Sequence, residues 1–263
     1  MTDVDSALDF RLGMIRRRLD KIGNLLLVLS GKGGVGKSVV SATLAAQLAE
    51  SGFRVGLMDA DVYGPSSALL FNARTPPAEG EGGLIPPAIN GVKVMSVDLF
   101  ASGKPIPLTG YGARQVLLEL LALTNWGELD YLIVDMPPAT GDIMLTLTSL
   151  GEKGLEAVVV TMPDRLSTTV AHRVLELLKS GRVPTLGVLE NMQRPSRRAA
   201  RAPDRGPREL ASEFKVPLLG ILPYDPGVSK AVERSDIRAL VATRFAGELR
   251  RSMSSYFDRL QAD

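Results

Sequence analysis

The residues best suited to chemistry lie at positions 31–38, which read Gly-Lys-Gly-Gly-Val-Gly-Lys-Ser. An apolar run at 25–29 precedes them, and residues 39–50 have the composition of a helix. A glycine-rich turn between a strand and a helix can direct several backbone N–H groups at one phosphate, and the helix N-terminus adds a partial positive charge. The pattern predicts a nucleoside triphosphate site, with Lys37 at the β- and γ-phosphates and the Ser38 hydroxyl on Mg²⁺. The predicted nucleotide-binding residues of this loop are Gly31, Lys32, Gly33, Gly34, Val35, Gly36, Lys37, Ser38 and Val39.

Carboxylates follow two of the predicted strands. Asp135 ends the apolar run at 131–134, and Asp59 and Asp61 follow the strand predicted over 54–58. A lone aspartate after a strand often only shapes a turn. Beside a phosphate-binding loop, however, the carboxyl end of a parallel strand is where Mg²⁺ is held, directly or through water. We therefore expect Asp135 to serve the metal.

Composition excludes several classes of protein. The chain of 263 residues has no cysteine, which excludes disulfides, thiolate metal sites and thiol catalysis, and its single histidine, His172, excludes a histidine-rich metal site. No apolar run approaches the roughly 18 residues of a membrane span, and residues 1–9 do not resemble a signal peptide. We expect a soluble, cytoplasmic protein. The net charge of +2 does not by itself indicate nucleic-acid binding.

Apolar runs that alternate with helical segments predict a doubly wound α/β fold, with one mainly parallel sheet and helices on both faces. We expect a single domain over residues 1–263. The predicted strands are 25–29, 54–58, 92–99, 131–134, 157–160, 186–189 and 218–222. The predicted helices are 7–22, 39–50, 111–123, 167–180 and 244–260. Residues 72–91, rich in proline and glycine, are predicted to be a long, irregular and mobile excursion.

The N-terminal helix within residues 1–22 is predicted to be amphipathic. Its apolar face carries Leu8, Leu12, Ile15, Leu19 and Ile22. We expect this face to pack on the domain, and contact with a membrane surface is the alternative.

Five phrases of the sequence resemble one protein family. They are residues 30–38, 59–66, 126–135, 183–192 and 216–225. In these phrases the chain resembles the Mrp/ApbC-type ATPases of the MinD/ParA group, which are P-loop NTPases with a deviant Walker A motif. The resemblance covers residues 22–240. It implies a homodimeric Mg²⁺–ATP switch with slow hydrolysis, in which ATP draws two subunits together and hydrolysis releases a partner.

The resemblance also implies roles for individual residues. Lys32 would reach the nucleotide of the other subunit, although a solvated loop lysine is the alternative. Asp61 would position the attacking water and Asp59 would support the Mg²⁺ shell, whereas both could instead only terminate their strand. Asn191, by its side-chain amide, and Pro223 with its neighbours, by their backbone, would hold adenine. The predicted catalytic residues are Lys32, Lys37 and Asp61.

Residues 137–142 resemble the family's switch-II segment, in which Asp142 could sense the γ-phosphate or simply cap a helix. The family's Cys-x-x-Cys, associated with iron–sulfur cluster carriage, is missing here, and an arginine-rich loop at 193–208 occupies its place. Guanidinium groups cannot replace thiolates as cluster ligands. This loop could bind RNA, DNA or an acidic partner, or could be a solvated loop.

The expected function is therefore a slowly hydrolysing ATPase switch, linked to iron–sulfur cluster assembly without cluster ligands of its own. One alternative is a ParA/MinD-like positioning ATPase that acts on DNA or a membrane. A second is a nucleotide-gated adaptor with negligible hydrolysis. A third is an assembly factor that borrows cysteines from an unknown protein partner.

Overall fold

The computed structural model describes residues 3–101, 112–138, 154–194 and 206–261. The helices in these ranges are α1 (Asp3–Leu19), α2 (Lys37–Glu50), α3 (Ser67–Leu70), α4 (Asp98–Ala101), α5 (Ala113–Leu123), α6 (Arg165–Ser180), α7 (Pro207–Phe214), α8 (Pro226–Glu233), α9 (Ile237–Val241), α10 (Arg244–Ser252) and α11 (Ser254–Gln261). The strands are β1 (Ile22–Leu29), β2 (Val55–Asp59), β3 (Ala78–Gly80), β4 (Gly83–Ile85), β5 (Ala88–Ile89), β6 (Val92–Met95), β7 (Leu129–Asp135), β8 (Leu155–Thr161), β9 (Thr185–Gln193) and β10 (Leu218–Pro223).

One sheet organises the described residues. Eight strands form it in the order β10-β9-β8-β1-β7-β2-β6-β5. All neighbouring pairs are parallel except β5 and β6. Strand β1 lies in the interior of the sheet, and the chain builds outward from it on both sides. In open α/β sheets, ligands bind beyond the carboxyl ends of the strands at such a switch point.

The sheet is buried on both faces, which explains why its central strands read as continuous apolar runs. Leu27 of β1 belongs to the apolar cluster covered by α5 and α6, and its neighbour Leu26 belongs to the opposite cluster, covered by α2. This arrangement confirms the predicted fold class, a mainly parallel sheet with helices on both faces.

Helix α1 packs on the rest of the chain, as predicted. Ile15 and Leu19 are buried in the same cluster as Leu117 of α5. Arg11 Nη1 also donates a hydrogen bond to Gln115 Oε1 at 2.9 Å. The predicted boundary was wrong, because the helix ends at Leu19 and the following strand begins at Ile22.

The prediction of an irregular excursion at residues 72–91 was wrong. Strands β3 and β4 form an antiparallel hairpin in which Gly80 pairs with Gly83 across a two-residue turn. Gly82 in this turn has φ 84°, a left-handed conformation that glycine adopts without strain. Strand β5 then pairs antiparallel with β6 at the edge of the main sheet. Strands of two or three residues are too short to produce a periodic signal.

Two other predicted elements are divided in the structure. The strand expected over 92–99 ends at Met95, and α4 begins at Asp98. The single closing helix expected over 244–260 is two helices that meet at Met253, a fully buried residue. Among the described helices, none is both long and apolar enough to cross a membrane.

Candidate functional site

The glycine-rich loop connects β1 to α2 at the carboxyl edge of the sheet. Gly34 and Gly36 have φ angles of 80° and 84°, which a residue with a Cβ adopts only with strain. A Cβ on Gly31 would lie 2.4 Å from the backbone carbon of Val170, so the loop packs directly on α6. Gly36 is the N-cap of α2, and the Val40 N–H donates to its carbonyl at 3.0 Å. The glycine-rich loop therefore leads directly into the N-terminus of α2.

Lys37 and Asp135 form a buried ion pair at this helix N-terminus. Their side chains are 7% and 0% exposed, and Lys37 Nζ donates to Asp135 Oδ1. Ser41, one turn after Lys37, donates to the same oxygen at 3.0 Å. The other carboxylate oxygen, Asp135 Oδ2, is buried without a hydrogen-bond partner in the part of the chain that the structure describes.

Asp59 lies beside Asp135, because the two residues are register partners at the ends of β2 and β7. Asp59 is fully buried, and its Oδ2 accepts hydrogen bonds from the N–H groups of Ser66 and Ser67, both at 2.8 Å. Burial, together with the negative charge of Asp135, raises the pKa of Asp59 to about 7. Two adjacent buried carboxylates repel each other, and a nearby cation offsets that repulsion.

The donor set here fits Mg²⁺. Asp59 and Asp135 supply carboxylate oxygens and Ser38, the second residue of α2, supplies a hydroxyl, which are the hard ligands that Mg²⁺ prefers. The buried and unpartnered Asp135 Oδ2 supports this fit. Among the described residues, no group of three or more histidine, cysteine, aspartate or glutamate side chains could hold a metal ion. A metal here would therefore need further ligands from phosphate and water.

Asp61 lies at the edge of this cluster and is half-buried. Its backbone N–H donates to Asp59 Oδ1 at 3.1 Å, and its own Oδ1 accepts from the Gly64 N–H at 3.1 Å. Asp59 and Asp61 therefore both shape the turn after β2, which agrees with the alternative that these residues terminate the strand.

Lys32 extends from the loop toward the N-terminus of α6. Its Nζ lies 3.7 Å from Asp164 Oδ2, and both side chains are partly exposed. Asp164 is the N-cap of α6 and accepts from the Ser167 N–H at 2.9 Å. Burial alone would raise the pKa of Asp164, but the hydrogen bonds from Ser167 and the charge of Lys32 lower it below its usual value.

The other end of the loop is held by Asn191. Its Nδ2 donates to the Val35 carbonyl at 2.8 Å, and its residue surface is 3% exposed. A Cβ on Gly36 would lie 2.4 Å from this nitrogen. One N–H of the Asn191 amide is therefore committed to the loop, and this hydrogen bond fixes the orientation of the side chain.

A small cavity adjoins Asn191, with a volume of about 70 Å³. Its lining residues are Gly36, Val39, Asn191, Met192, Pro223, Tyr224, Asp225, Val228, Ser229 and Phe245. The sequence predicted Val39, Asn191 and Pro223 at one site, and the structure brings all three to this cavity. Met192 lies near the end of β9 and lines the cavity. Its φ of 60° is a left-handed conformation.

Sequence reasoning missed Ser41, Asp164 and Phe245. Ser41 could have been found by its spacing of four residues from Lys37, which places both on one helix face. Asp164 follows strand β8 and carries the same strand-end signal as Asp135. Phe245 comes from a helix far along the chain, and nothing local indicates its place.

Some predicted features lie outside the described residues, namely Asp142 and positions 195–205 of the arginine-rich loop. Arg194 and Arg208 are the two arginines of that loop within them. His172 packs edge-on against Phe214 at 4.9 Å between ring centroids, and its Nε2 lies 3.0 Å from Glu213 Oε1.

Comparison with known proteins agrees with this geometry. A family model described as NUBPL iron-transfer P-loop NTPase matches residues 21–260. An iron-sulfur cluster carrier protein from Rickettsia conorii is 35% identical over 219 residues, which are 82% of this chain and 66% of the relative. The match thus spans slightly less than two thirds of that relative's length.

Solved structures show the same fold. A nucleotide-binding protein from Archaeoglobus fulgidus, solved in complex with ADP, has a TM-score of 0.70 and 35% identity, covering 86% of this chain and 92% of that one. The cell division ATPase MinD from Pyrococcus furiosus has a TM-score of 0.62 at 22% identity, covering 90% and 99%, and supports the fold alone. The chain belongs to the NUBPL iron-transfer P-loop NTPase family, as the resemblance of its motifs to Mrp/ApbC-type ATPases predicted.

Proposed function

We propose that this chain binds ATP with Mg²⁺ and hydrolyses it slowly as a homodimeric switch. The observation that carries the proposal is the buried cluster of Lys37, Asp59 and Asp135 at the N-terminus of α2. Buried charges are costly unless they serve one another or a ligand. A triphosphate with its metal would satisfy all three groups.

The protein groups have distinct tasks in this proposal. Ser38, Asp59 and Asp135 would hold Mg²⁺, which supplies positive charge to the β- and γ-phosphates. Lys37 leaves Asp135 for the phosphates and neutralises the charge that develops on the transferred group. The loop N–H groups bind the phosphates. Asp61 orients the attacking water, because phosphoryl transfer needs positioning and charge neutralisation more than covalent help.

Lys32 is proposed to act between subunits. Among the described residues its amine pairs with Asp164 alone, both side chains are partly exposed, and such pairs contribute little stability. The lysine is therefore free to exchange Asp164 for a phosphate of the nucleotide bound to a second copy. Binding of ATP then favours the dimer, and hydrolysis favours its dissociation.

A link to iron–sulfur cluster assembly is favoured by the relatives, which include an iron-sulfur cluster carrier protein. Because the sequence holds no cysteine, a cluster would be held by thiolates of a partner protein. In this proposal the chain supplies the nucleotide-driven step and the partner supplies the cluster ligands.

Calorimetry with MgATP tests the nucleotide site, and turnover assays test the role of Asp61. Wild type is expected to bind MgATP, and Asp61→Ala to retain binding while losing turnover. In size-exclusion chromatography, Asp61→Ala with MgATP should elute as a dimer.

No binding of MgATP at millimolar concentration would overturn the proposal, and unchanged turnover in Asp61→Ala would overturn the role of Asp61. Association with duplex DNA or anionic vesicles would instead favour a positioning ATPase.

A further inference from the structure

The cavity beside Asn191 is too small to enclose a purine base. Its volume is about 70 Å³. An engineered protein cavity of roughly 150 Å³ binds benzene, and a purine is larger than benzene. A base that enters this cavity must therefore lie partly against the side chains at its outer rim.

The inner and outer walls of the cavity differ in exposure. Asn191 and Phe245 form its inner side and are 3% and 2% exposed. Tyr224 also lines the cavity but is 43% exposed, so its ring belongs to the outer rim. Tyr224 is thus the aromatic side chain placed where the uncovered part of a base would lie.

Arg194 covers the Tyr224 ring. The guanidinium carbon of Arg194 lies 4.5 Å from the ring centroid, within the range of a cation–π contact. The Tyr224 N–H donates to the Gln193 carbonyl at 2.8 Å, which ties the ends of β9 and β10 together directly beneath this pair. The backbone therefore holds the two side chains next to each other.

We propose that the Tyr224 ring, backed by Arg194, forms the outer wall of the base subsite, against which a purine base stacks. This inference rests on the proposed function and specifies how the same site holds the base. Guanidinium groups and aromatic rings are flat, and nucleobases stack on both. The cation–π contact holds the Arg194 guanidinium against the Tyr224 ring, and Arg194 does not line the cavity, so Arg194 acts by positioning Tyr224.

The test is a double-mutant cycle in the full chain, with MgADP binding measured by calorimetry. Tyr224→Ala should weaken MgADP binding about tenfold, because base stacking on an aromatic side chain contributes on that scale. Arg194→Ala should weaken it by a smaller factor. The double variant should bind no more weakly than Tyr224→Ala, because the two residues act as one unit. Tyr224→Phe, which keeps the ring, should bind as wild type does.

Two controls separate a wall for the base from a general structural role. Inorganic tripolyphosphate with Mg²⁺ fills the phosphate site without a base, so its stabilisation against thermal unfolding should be equal in wild type and Tyr224→Ala. Arg234→Ala, at an exposed arginine outside the described cavity lining, should bind MgADP as wild type does.

The possible outcomes are distinct. If wild type binds MgADP and Tyr224→Ala binds it equally well, the wall is refuted and the proposed function stands. If Tyr224→Ala loses the response to tripolyphosphate as well, Tyr224 has a structural role and the inference is also overturned. If wild type binds no MgADP, the proposed function fails, and this inference fails with it.

Discussion

Lys37 and Asp135 form an ion pair that joins the first residue of α2 to the last residue of β7, with side chains 7% and 0% exposed. The same lysine also faces the buried carboxylate of Asp59, whose pKa its charge lowers against the stronger effects of burial and of Asp135. One lysine is therefore the counter-ion of two buried carboxylates.

Removal of this cation should destabilise the fold itself. Lys37→Met leaves Asp135 buried without its charged partner, and breaking a buried pair in this way costs about 3–5 kcal/mol. We expect that loss in the free energy of unfolding, measured by urea denaturation without nucleotide or Mg²⁺. Lys37→Met combined with Asp135→Asn should recover part of the loss, because no orphaned charge remains. A Lys37→Met variant as stable as wild type would contradict the counter-ion role.

Stability should depend on pH through Asp59. Its pKa of about 7 in the folded protein lies above the value of about 3.9 in an unfolded chain. Between these values the folded state binds more protons, so the contribution of Asp59 to stability is fully present below pH 4. It decreases as the pH rises to about 7, by at most about 1.4 kcal/mol per pH unit.

This pH dependence can be isolated with Asp59→Asn, which cannot titrate. Unfolding free energies of both proteins would be measured from pH 5 to 8 in a metal chelator. The free energy of unfolding of Asp59→Asn, relative to that of wild type, should increase as the pH rises to 7 and then stay constant. A difference that is independent of pH would show that Asp59 titrates near its ordinary value.

Gly36→Ala should disrupt the loop at two points. The residue has φ 84°, and the new Cβ would lie 2.4 Å from Asn191 Nδ2. The left-handed conformation alone costs about 1–2 kcal/mol with a Cβ, and the Asn191–Val35 hydrogen bond would be displaced. We expect loss of MgATP binding in calorimetry together with reduced stability.

The matched control is Gly247→Ala in α10, where a Cβ meets no atom within 4 Å. Alanine is favoured over glycine in a helix by about 0.8–1.0 kcal/mol, so this variant should be at least as stable as wild type and should bind MgATP normally. Equal nucleotide affinity in the two variants would show that the space around Gly36 is not needed for binding.

Lys32→Ala should separate stability from association. The Lys32–Asp164 contact of 3.7 Å is partly exposed, so its loss should change the free energy of unfolding by less than about 1 kcal/mol. Formation of the dimer with MgATP, followed by light scattering, should be lost. Lys179→Ala, an exposed lysine in the last turn of α6, should leave both properties unchanged. Persistent ATP-dependent dimerisation of Lys32→Ala would assign Lys32 to the loop alone.

The sequence alone was enough to predict the helices and strands whose hydrophobic pattern extends over several consecutive residues. Strand β7 is a run of apolar residues that ends in Asp135, and burial on both faces of a parallel sheet produces such runs. The hairpin of β3 and β4 was missed because three residues cannot show a period, and its pairing depends on a turn at Gly82. The break at Met253 was missed because the apolar stripe continues through it, and Met253 and Tyr256, on either side of the break, are both buried in the core.

The sequence by itself determined the chemistry of the phosphate site, because a glycine-rich loop, a lysine and a helix start are contiguous in residues 31–38. Only the tertiary structure decided which groups satisfy one another. Lys37 and Asp135 are 98 positions apart, and Asn191 and Val35 are 156 positions apart. Such pairings follow from the order of the strands in the sheet, which brings distant strand ends to one edge. No local pattern records that order, so the raised pKa of Asp59 and the stacked Arg194–Tyr224 pair become visible only when the chain is folded.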